Sequence, residues 1–185
     1  MIKLAVAVLV LAAGLHHLSG PGSANQLGAG ALAVRDASCP SSIRYCPVQL
    51  SGNLALVPGG PPAHFAARVT YPGSGPALDL RLYLQNFQAR TSGSLPTCIA
   101  ANPADRLAVV IRSGGVLVYS GTLAGLAVVA GSAASALSVP GASGRPEWHP
   151  GDRAVVSTTV ALDRAADNSY MGCSSHAELA WSAVR

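Results

Sequence analysis

Three histidines lie beyond residue 24 of this 185-residue chain, and they are its first candidates for proton transfer or metal binding. His149 and Asp152 flank a Pro-Gly pair, whereas His176 and Glu178 stand close together near the C-terminus. If the two segments are neighbours in the fold, these four side chains could bind a metal ion. His64 stands apart from both pairs. Polar residues on turns and on the outward faces of strands are mostly solvated, so we predict no metal site.

The sequence lacks the other common motifs of active sites. It has no H-E-x-x-H pair for zinc and no G-x-S-x-G turn for a nucleophilic serine. No glycine-rich phosphate loop fits between a strand and a helix. Glu147 and Glu178 are the only glutamates, and nothing in the pattern points to the carboxylate pair of a glycosidase. We therefore predict no catalytic residues, no cofactor and no enzymatic activity.

The N-terminus predicts export from the cell. Lys3 supplies a positive start, and the apolar run over residues 2–15 is shorter than a transmembrane helix requires. Gly22 and Ala24 are the small residues expected before a cleavage site at Asn25. The alternative is an uncleaved anchor helix. We predict a signal peptide at 1–24, an arm with a cysteine loop at 25–47 and one domain at 48–185. The cleaved protein would be secreted or held at the cell surface, without a membrane segment.

Export decides how the four cysteines are interpreted. Cys39, Cys46, Cys98 and Cys173 form an even set, which in an oxidising compartment predicts two disulfide bonds. Three pairings are possible, and we favour Cys39–Cys46 together with Cys98–Cys173. In the chain-entropy model the long loop would contribute about 4–5 kcal/mol and the short loop about 2–2.5 kcal/mol. A zinc site is the less favoured alternative, because the spacings contain no C-x-x-C pair.

The charged residues predict a mildly basic surface. The chain has 12 Lys and Arg against 8 Asp and Glu, which gives a formal net charge of +4. Cleavage would remove Lys3, the only lysine, and the arginines are scattered along the sequence. A nucleic-acid-binding domain usually concentrates its positive charge, so we predict no nucleic-acid partner.

Composition and periodicity predict an all-β fold. Half of the residues are hydrophobic, only 11% are charged, and 20 Gly and 13 Pro favour short strands joined by tight turns. Apolar and polar residues alternate over 64–71, 79–85, 153–162 and 177–184, so each of these strands buries one face. We predict an antiparallel β-sandwich of seven to eight strands with one short helix. Its topology would be of the jelly-roll type or, alternatively, Ig-like.

Local signals place three further elements between these strands. Strands at 107–112 and 116–120 flank Ser113-Gly114-Gly115, a pattern typical of a tight hairpin. A short helix is predicted over 122–129. The segment 86–104 is polar and contains Cys98, and we predict that it is a long connection between strands.

Three segments carry a resemblance to a known family. Residues 53–84 run strand, Pro-Gly turn, strand, turn, strand, and residues 105–128 form a hairpin that ends in Tyr-Ser-Gly-x-Leu before a helix. The third segment combines a Pro-Gly-Asp turn with spaced single residues, namely Pro150, Gly151, Asp152, Leu162, Asn168, Tyr170, Gly172 and Trp181. Taken together and in this order, they resemble the TasA/camelysin family of secreted bacterial β-sandwich proteins, over roughly half of the chain beyond the signal peptide.

The resemblance implies an exported jelly-roll domain that acts in the extracellular matrix of a biofilm. Members of the family assemble into fibres in which the N-terminal segment of one subunit completes a sheet of the next, a form of strand addition. The candidate donor here is the segment 25–35, so the implied partner is a second copy of the chain. The proteolytic activity described for the camelysin branch is not carried over, because no metalloprotease motif is present.

Two alternatives to a self-associating matrix protein remain. The first is a monomeric secreted module that binds a cell-surface or matrix polymer, for which we expect a cluster of exposed aromatic side chains. The second is a small metal-dependent hydrolase, which would need His, Asp and Glu side chains that converge on one pocket.

Overall fold

The computed structural model describes residues 6–9, 33–36, 49–52, 56–71, 77–92, 102–141, 143–167, 170 and 174–184. The strands of these segments are β1 (Val6–Leu9), β2 (Ala33–Asp36), β3 (Gln49–Gly52), β4 (Ala63–Thr70), β5 (Leu78–Ser92), β6 (Leu107–Ser113), β7 (Val116–Thr122), β8 (Leu137–Ser138), β9 (Glu147–Trp148), β10 (Arg153–Leu162) and β11 (Ser174–Val184). One α-helix, α1, spans Leu123–Ala130. The four cysteines lie outside the described residues, and their pairing stays a prediction.

The strands form two sheets. Sheet A has the order β3-β1-β11-β5-β8, with β9 also paired to β5, and sheet B has the order β2-β4-β10-β6-β7. Every ladder is antiparallel except that between β1 and β11, which is parallel. The all-β fold class, with two sheets that are antiparallel apart from this ladder and one short helix, is therefore confirmed, whereas the described residues form eleven strands rather than the seven to eight predicted.

One hydrophobic core joins the two sheets. Sheet B contributes alternate residues of its central strands, and sheet A contributes those of β5 and β11, as the alternation in the sequence predicted. Burial of each such aliphatic side chain stabilises the fold by about 1.5–3 kcal/mol. The side chains that the sequence placed in the core, and that are buried, are Ala67, Val69, Tyr71, Leu80, Leu82, Leu84, Val156, Val160, Leu162, Ala177, Leu179 and Trp181.

The β6–β7 hairpin has the tight turn that its sequence predicted. Gly114 and Gly115 have φ values of 54° and 91°, a region that residues with a side chain seldom adopt. Further along, Arg112 pairs with Leu117 but Ile111 pairs with Tyr119. Val118 is therefore an extra residue in β7, which makes a β-bulge in a strand at the edge of sheet B.

Helix α1 begins where β7 ends, within one residue of its predicted start. The hydroxyl of Thr122 accepts a hydrogen bond from the Gly125 amide at 3.0 Å and so caps the first turn. Leu126 is buried in the core, whereas Val128 on the opposite side is 81% exposed. The helix contains no charged residue, so its outward side is apolar.

Strand β5 corrects the prediction that residues 86–104 are a connection, because it continues to Ser92. Gln85 pairs with Glu178 and Gln88 with His176, so Asn86 and Phe87 both stand opposite Ala177. This β-bulge is accommodated by Asn86, whose φ is 51°. The extra residue shifts the alternation by one position, and Phe87 rather than Asn86 packs against the core. The shift explains why the sequence pattern seemed to stop at Gln85.

Two short strands come from the N-terminal part of the chain. β1, inside the predicted signal peptide, pairs with β11 and with β3. β2 includes the end of the predicted donor segment and pairs with β4 at one edge of sheet B. Signal cleavage and the domain boundaries at residues 24 and 47 stay predictions.

Candidate functional site

The His149–Asp152 turn uses its carboxylate for structure. Asp152 Oδ2 accepts a hydrogen bond from the His149 amide at 2.7 Å, and the Asp152 amide donates to the His149 carbonyl at 2.9 Å. Gly151, with φ of 90°, donates to the Tyr71 carbonyl and fixes the turn to the end of β4. His149 Nδ1 is 4.0 Å from Asp152 Oδ2 and has no hydrogen-bond partner in the described structure. The carboxylate therefore closes the turn and does not orient the imidazole.

The fold separates the residues that the sequence offered as metal ligands. Trp148, next to His149, pairs with Leu78 at the start of β5, whereas Glu178 pairs with Gln85. Seven residues of strand correspond to roughly 20 Å. Within the described segments, no group of three or more His, Cys, Asp or Glu residues could hold a metal ion.

Glu178 is the most unusual acidic residue of the described structure. It lies on the face of β11 away from the core, yet it is only 5% exposed. Its Oε2 accepts hydrogen bonds from Gln85 Nε2 at 3.0 Å and from Asn86 Nδ2 at 2.7 Å. The β-bulge of β5 positions the amide of Asn86, so the hydrogen bonding of the buried Glu178 carboxylate depends on the bulge. Sequence alternation predicted the direction of Glu178 but not its burial.

Three arginines come together on the outer face of sheet B, around the exposed side chain of Val155. Arg68 stands directly opposite Val155 in the β4–β10 ladder, and Arg153 precedes Val155 by two residues on the same face. Arg112 stands opposite Ser157, the next residue of β10 on that face. The three Cα atoms therefore lie about 5–8 Å from that of Val155. We call this group the arginine face.

No acidic residue balances the arginine face within its own strands. β4, β6, β7 and β10 contain three arginines, one histidine and neither Asp nor Glu. Arg68, Arg112 and Arg153 are exposed and form no ion pair with a described carboxylate. Arg112 donates a hydrogen bond to the Gly115 carbonyl, at 3.1 Å. In addition, Arg35 of β2 stands opposite Arg68 in the register of the β2–β4 ladder.

Two other described arginines form ion pairs with carboxylates, unlike the three of the arginine face. Arg81 Nε is 2.8 Å from Asp79 Oδ2, and Arg106 Nη1 is 3.5 Å from Asp163 Oδ2. The pKa of Arg106 is raised above its ordinary value, first because its guanidinium donates to the Tyr170 hydroxyl and to a smaller degree because of Asp163. The sequence contained the signal for the arginine face, since alternation assigns all three of its arginines to outward positions. It could not show which strands are neighbours.

Tyr119 is a second described titratable group whose environment changes its pKa. Its hydroxyl donates to the Thr122 carbonyl at 2.7 Å, at the corner between β7 and α1. Burial raises the pKa of this phenol above 10.0, because the charged form would lose its hydration. The hydroxyl is therefore a structural donor rather than a proton-transfer group at neutral pH.

Comparison of the chain with models of known protein families gives no match, and comparison with curated protein sequences gives none either. The resemblance to the TasA/camelysin family therefore stays a prediction. Among the described residues, no helix is long and apolar enough to span a membrane.

Proposed function

We propose that the chain is a secreted structural protein of an extracellular matrix and that it self-associates by exchanging strand β2 between subunits. The observation that supports this proposal most directly is the position of β2. It forms the outermost strand of sheet B, covers four residues and pairs there with β4 alone. An edge strand in the N-terminal arm is the element that strand exchange requires.

The geometry of the β2–β4 ladder suggests that strand exchange would cost little free energy. Ala33 pairs with Thr70 and Asp36 with Ala67, so β2 covers only half of the eight-residue strand β4. The same main-chain hydrogen bonds would form with β4 of a second copy, because donor and acceptor are unchanged. Residues 63–66 of β4 extend beyond β2.

The alternative of a monomeric polymer-binding module predicted exposed aromatic side chains. The eight aromatic residues whose side chains the structure describes are all buried or half-buried, and they are Phe65, Tyr71, Tyr83, Phe87, Tyr119, Trp148, Tyr170 and Trp181. These residues provide no aromatic platform for a sugar ring. This observation favours the self-associating protein over an aromatic binding module.

Cysteine trapping between separate chains tests the proposal. One preparation carries Ala33→Cys in β2 and the other carries Thr70→Cys, its partner in the ladder. After the two are mixed and mildly oxidised, exchange should yield a disulfide-linked heterodimer on a non-reducing gel. Thr159→Cys, in the interior strand β10, replaces Thr70→Cys in the matched control and should give none.

Two further measurements complete this test. Deletion of residues 26–34 should abolish filaments seen by electron microscopy and leave a folded monomer by circular dichroism. The proposal fails if the chain with both Ala33→Cys and Thr70→Cys cross-links only within itself while mixed single variants stay monomeric. It also fails if the deleted chain still forms filaments.

A further inference from the structure

We propose that the arginine face is a binding site for a linear polysaccharide that carries carboxylate groups. This inference does not depend on strand exchange, because exchange uses the main-chain edge of β4 whereas binding uses side chains on the outer face of sheet B. Arg68, Arg112 and Arg153 are exposed there on three adjacent strands. The Cα atoms of Arg153 and Arg112, the two most distant of the three, lie about 14 Å apart, so the three residues could contact successive units of one extended chain.

The charge of this face is the first argument. Guanidinium groups bind carboxylates through two parallel hydrogen bonds, and they are more weakly hydrated than ammonium groups. Three such groups gathered without an acidic neighbour in their strands repel each other, so an anionic ligand would relieve this repulsion. Elsewhere, Arg81 and Arg106 already have carboxylate partners. The three exposed, unpaired arginines of β4, β6 and β10 therefore lie together on one face of sheet B.

The residues between the arginines favour a polysaccharide over a nucleic acid. Thr70 and Ser157 stand in register opposite Arg153 and Arg112, respectively, and their hydroxyl groups suit the hydroxyls of sugar rings. The side chain of Val155, 45% exposed, offers a small apolar contact for the C–H groups of a ring. Single-stranded nucleic acids are bound largely by stacking on aromatic side chains, and none of the described aromatic residues is exposed.

Binding of alginate oligosaccharides of uniform length to the full chain tests this proposal by calorimetry. Arg68→Gln with Arg153→Gln should weaken binding about tenfold, since two exposed charge contacts are lost. The matched control, Arg145→Gln with Arg164→Gln, removes the same number of positive charges from two exposed arginines outside sheet B. Its affinity should stay within about threefold of that of the unmodified chain. A neutral glucan oligosaccharide should not bind.

The proposal is overturned if both double variants lose affinity equally, because net charge alone would then explain binding. It is also overturned if duplex DNA, or vesicles that contain anionic lipid, bind at least as tightly and lose affinity in the same variant. The size distribution of each sample is measured in parallel. Filaments that persist in Arg68→Gln with Arg153→Gln separate a failure of polysaccharide binding from a failure of strand exchange.

Discussion

The two tryptophans of the chain occupy contrasting sites in the core, and this contrast leads to a sharp prediction. Trp148 is fully buried, and its indole Nε1 donates to the Val139 carbonyl at 2.7 Å. Trp181 is 7% exposed, and its Nε1 is buried without a hydrogen-bond partner in the described structure. The same substitution, Trp to Phe, should therefore have different costs at the two positions.

The size of the difference follows from the hydrogen bonds. Each substitution removes a similar part of the ring, so the loss of apolar contact largely cancels between them. Trp148→Phe also leaves the Val139 carbonyl without its indole donor, which costs about 1–3 kcal/mol for a buried group. Trp181→Phe removes a buried donor that has no described partner, and the fold should gain a similar amount of free energy. Trp148→Phe should thus destabilise the fold by at least roughly 2 kcal/mol more than Trp181→Phe.

Urea unfolding followed by far-ultraviolet circular dichroism measures this difference, because that signal does not depend on the tryptophan removed. Both variants should keep the m-value of the unmodified chain, so that a shift in midpoint reports stability alone. Equal free energies of unfolding, or a greater loss in Trp181→Phe, would refute the reasoning from hydrogen-bond satisfaction.

Two other predictions concern the buried Glu178 and the half-buried Tyr119. Glu178→Gln should lower the free energy of unfolding by about 1–3 kcal/mol, because its hydrogen bonds from two amides become weaker or strained. Glu147→Gln, at an exposed position, is the control and should change it by less than about 0.5 kcal/mol in urea unfolding. Because the pKa of Tyr119 is raised in the folded state, the contribution of this phenol to stability is fully present below pH 10 and is lost as pH rises through the pKa of the folded state. In thermal melts over a pH series, Tyr119→Phe should reduce the loss of stability at alkaline pH. An unchanged pH profile would contradict the attribution of this loss to Tyr119.

The sequence allowed the fold class to be predicted because alternation is a local property. In β10, Val156 and Val160 are buried as their spacing required, and the glycine pair after Ser113 has the expected positive φ values. At Asn86, alternation no longer predicts which side chains face the core. A single extra residue reverses the alternation, and only the pairing with β11 shows that it is a bulge rather than the end of the strand.

The candidate sites depended on pairing between distant strands, which the sequence does not encode locally. Arg68, Arg112 and Arg153 are each about forty residues from the next along the chain, and they meet only because β10 lies between β4 and β6. Glu178 was expected on a solvated face, but the amide of Asn86 covers it from a bulge that the pattern concealed. His149 and Glu178 could have shared a metal site only if their two segments were neighbours, and the strand pairing places them far apart.

If subunits exchange β2 as proposed, the extra residue in β7 would influence how filaments of this chain grow. An uninterrupted apolar edge at Val116 and Leu117 would attract any exposed strand, and a bulge is one way in which proteins discourage such pairing. The bulge at Val118 divides this edge of sheet B into short runs, whereas the edge at β4 lacks such an interruption along its ladder with β2. Filaments built by exchange of β2 would have two chemically distinct ends, because one end would present β2 and the other would present the free edge of β4. New subunits would insert a strand at one end or accept a strand at the other. The bulge in β7 would disfavour lateral association of filaments through that strand.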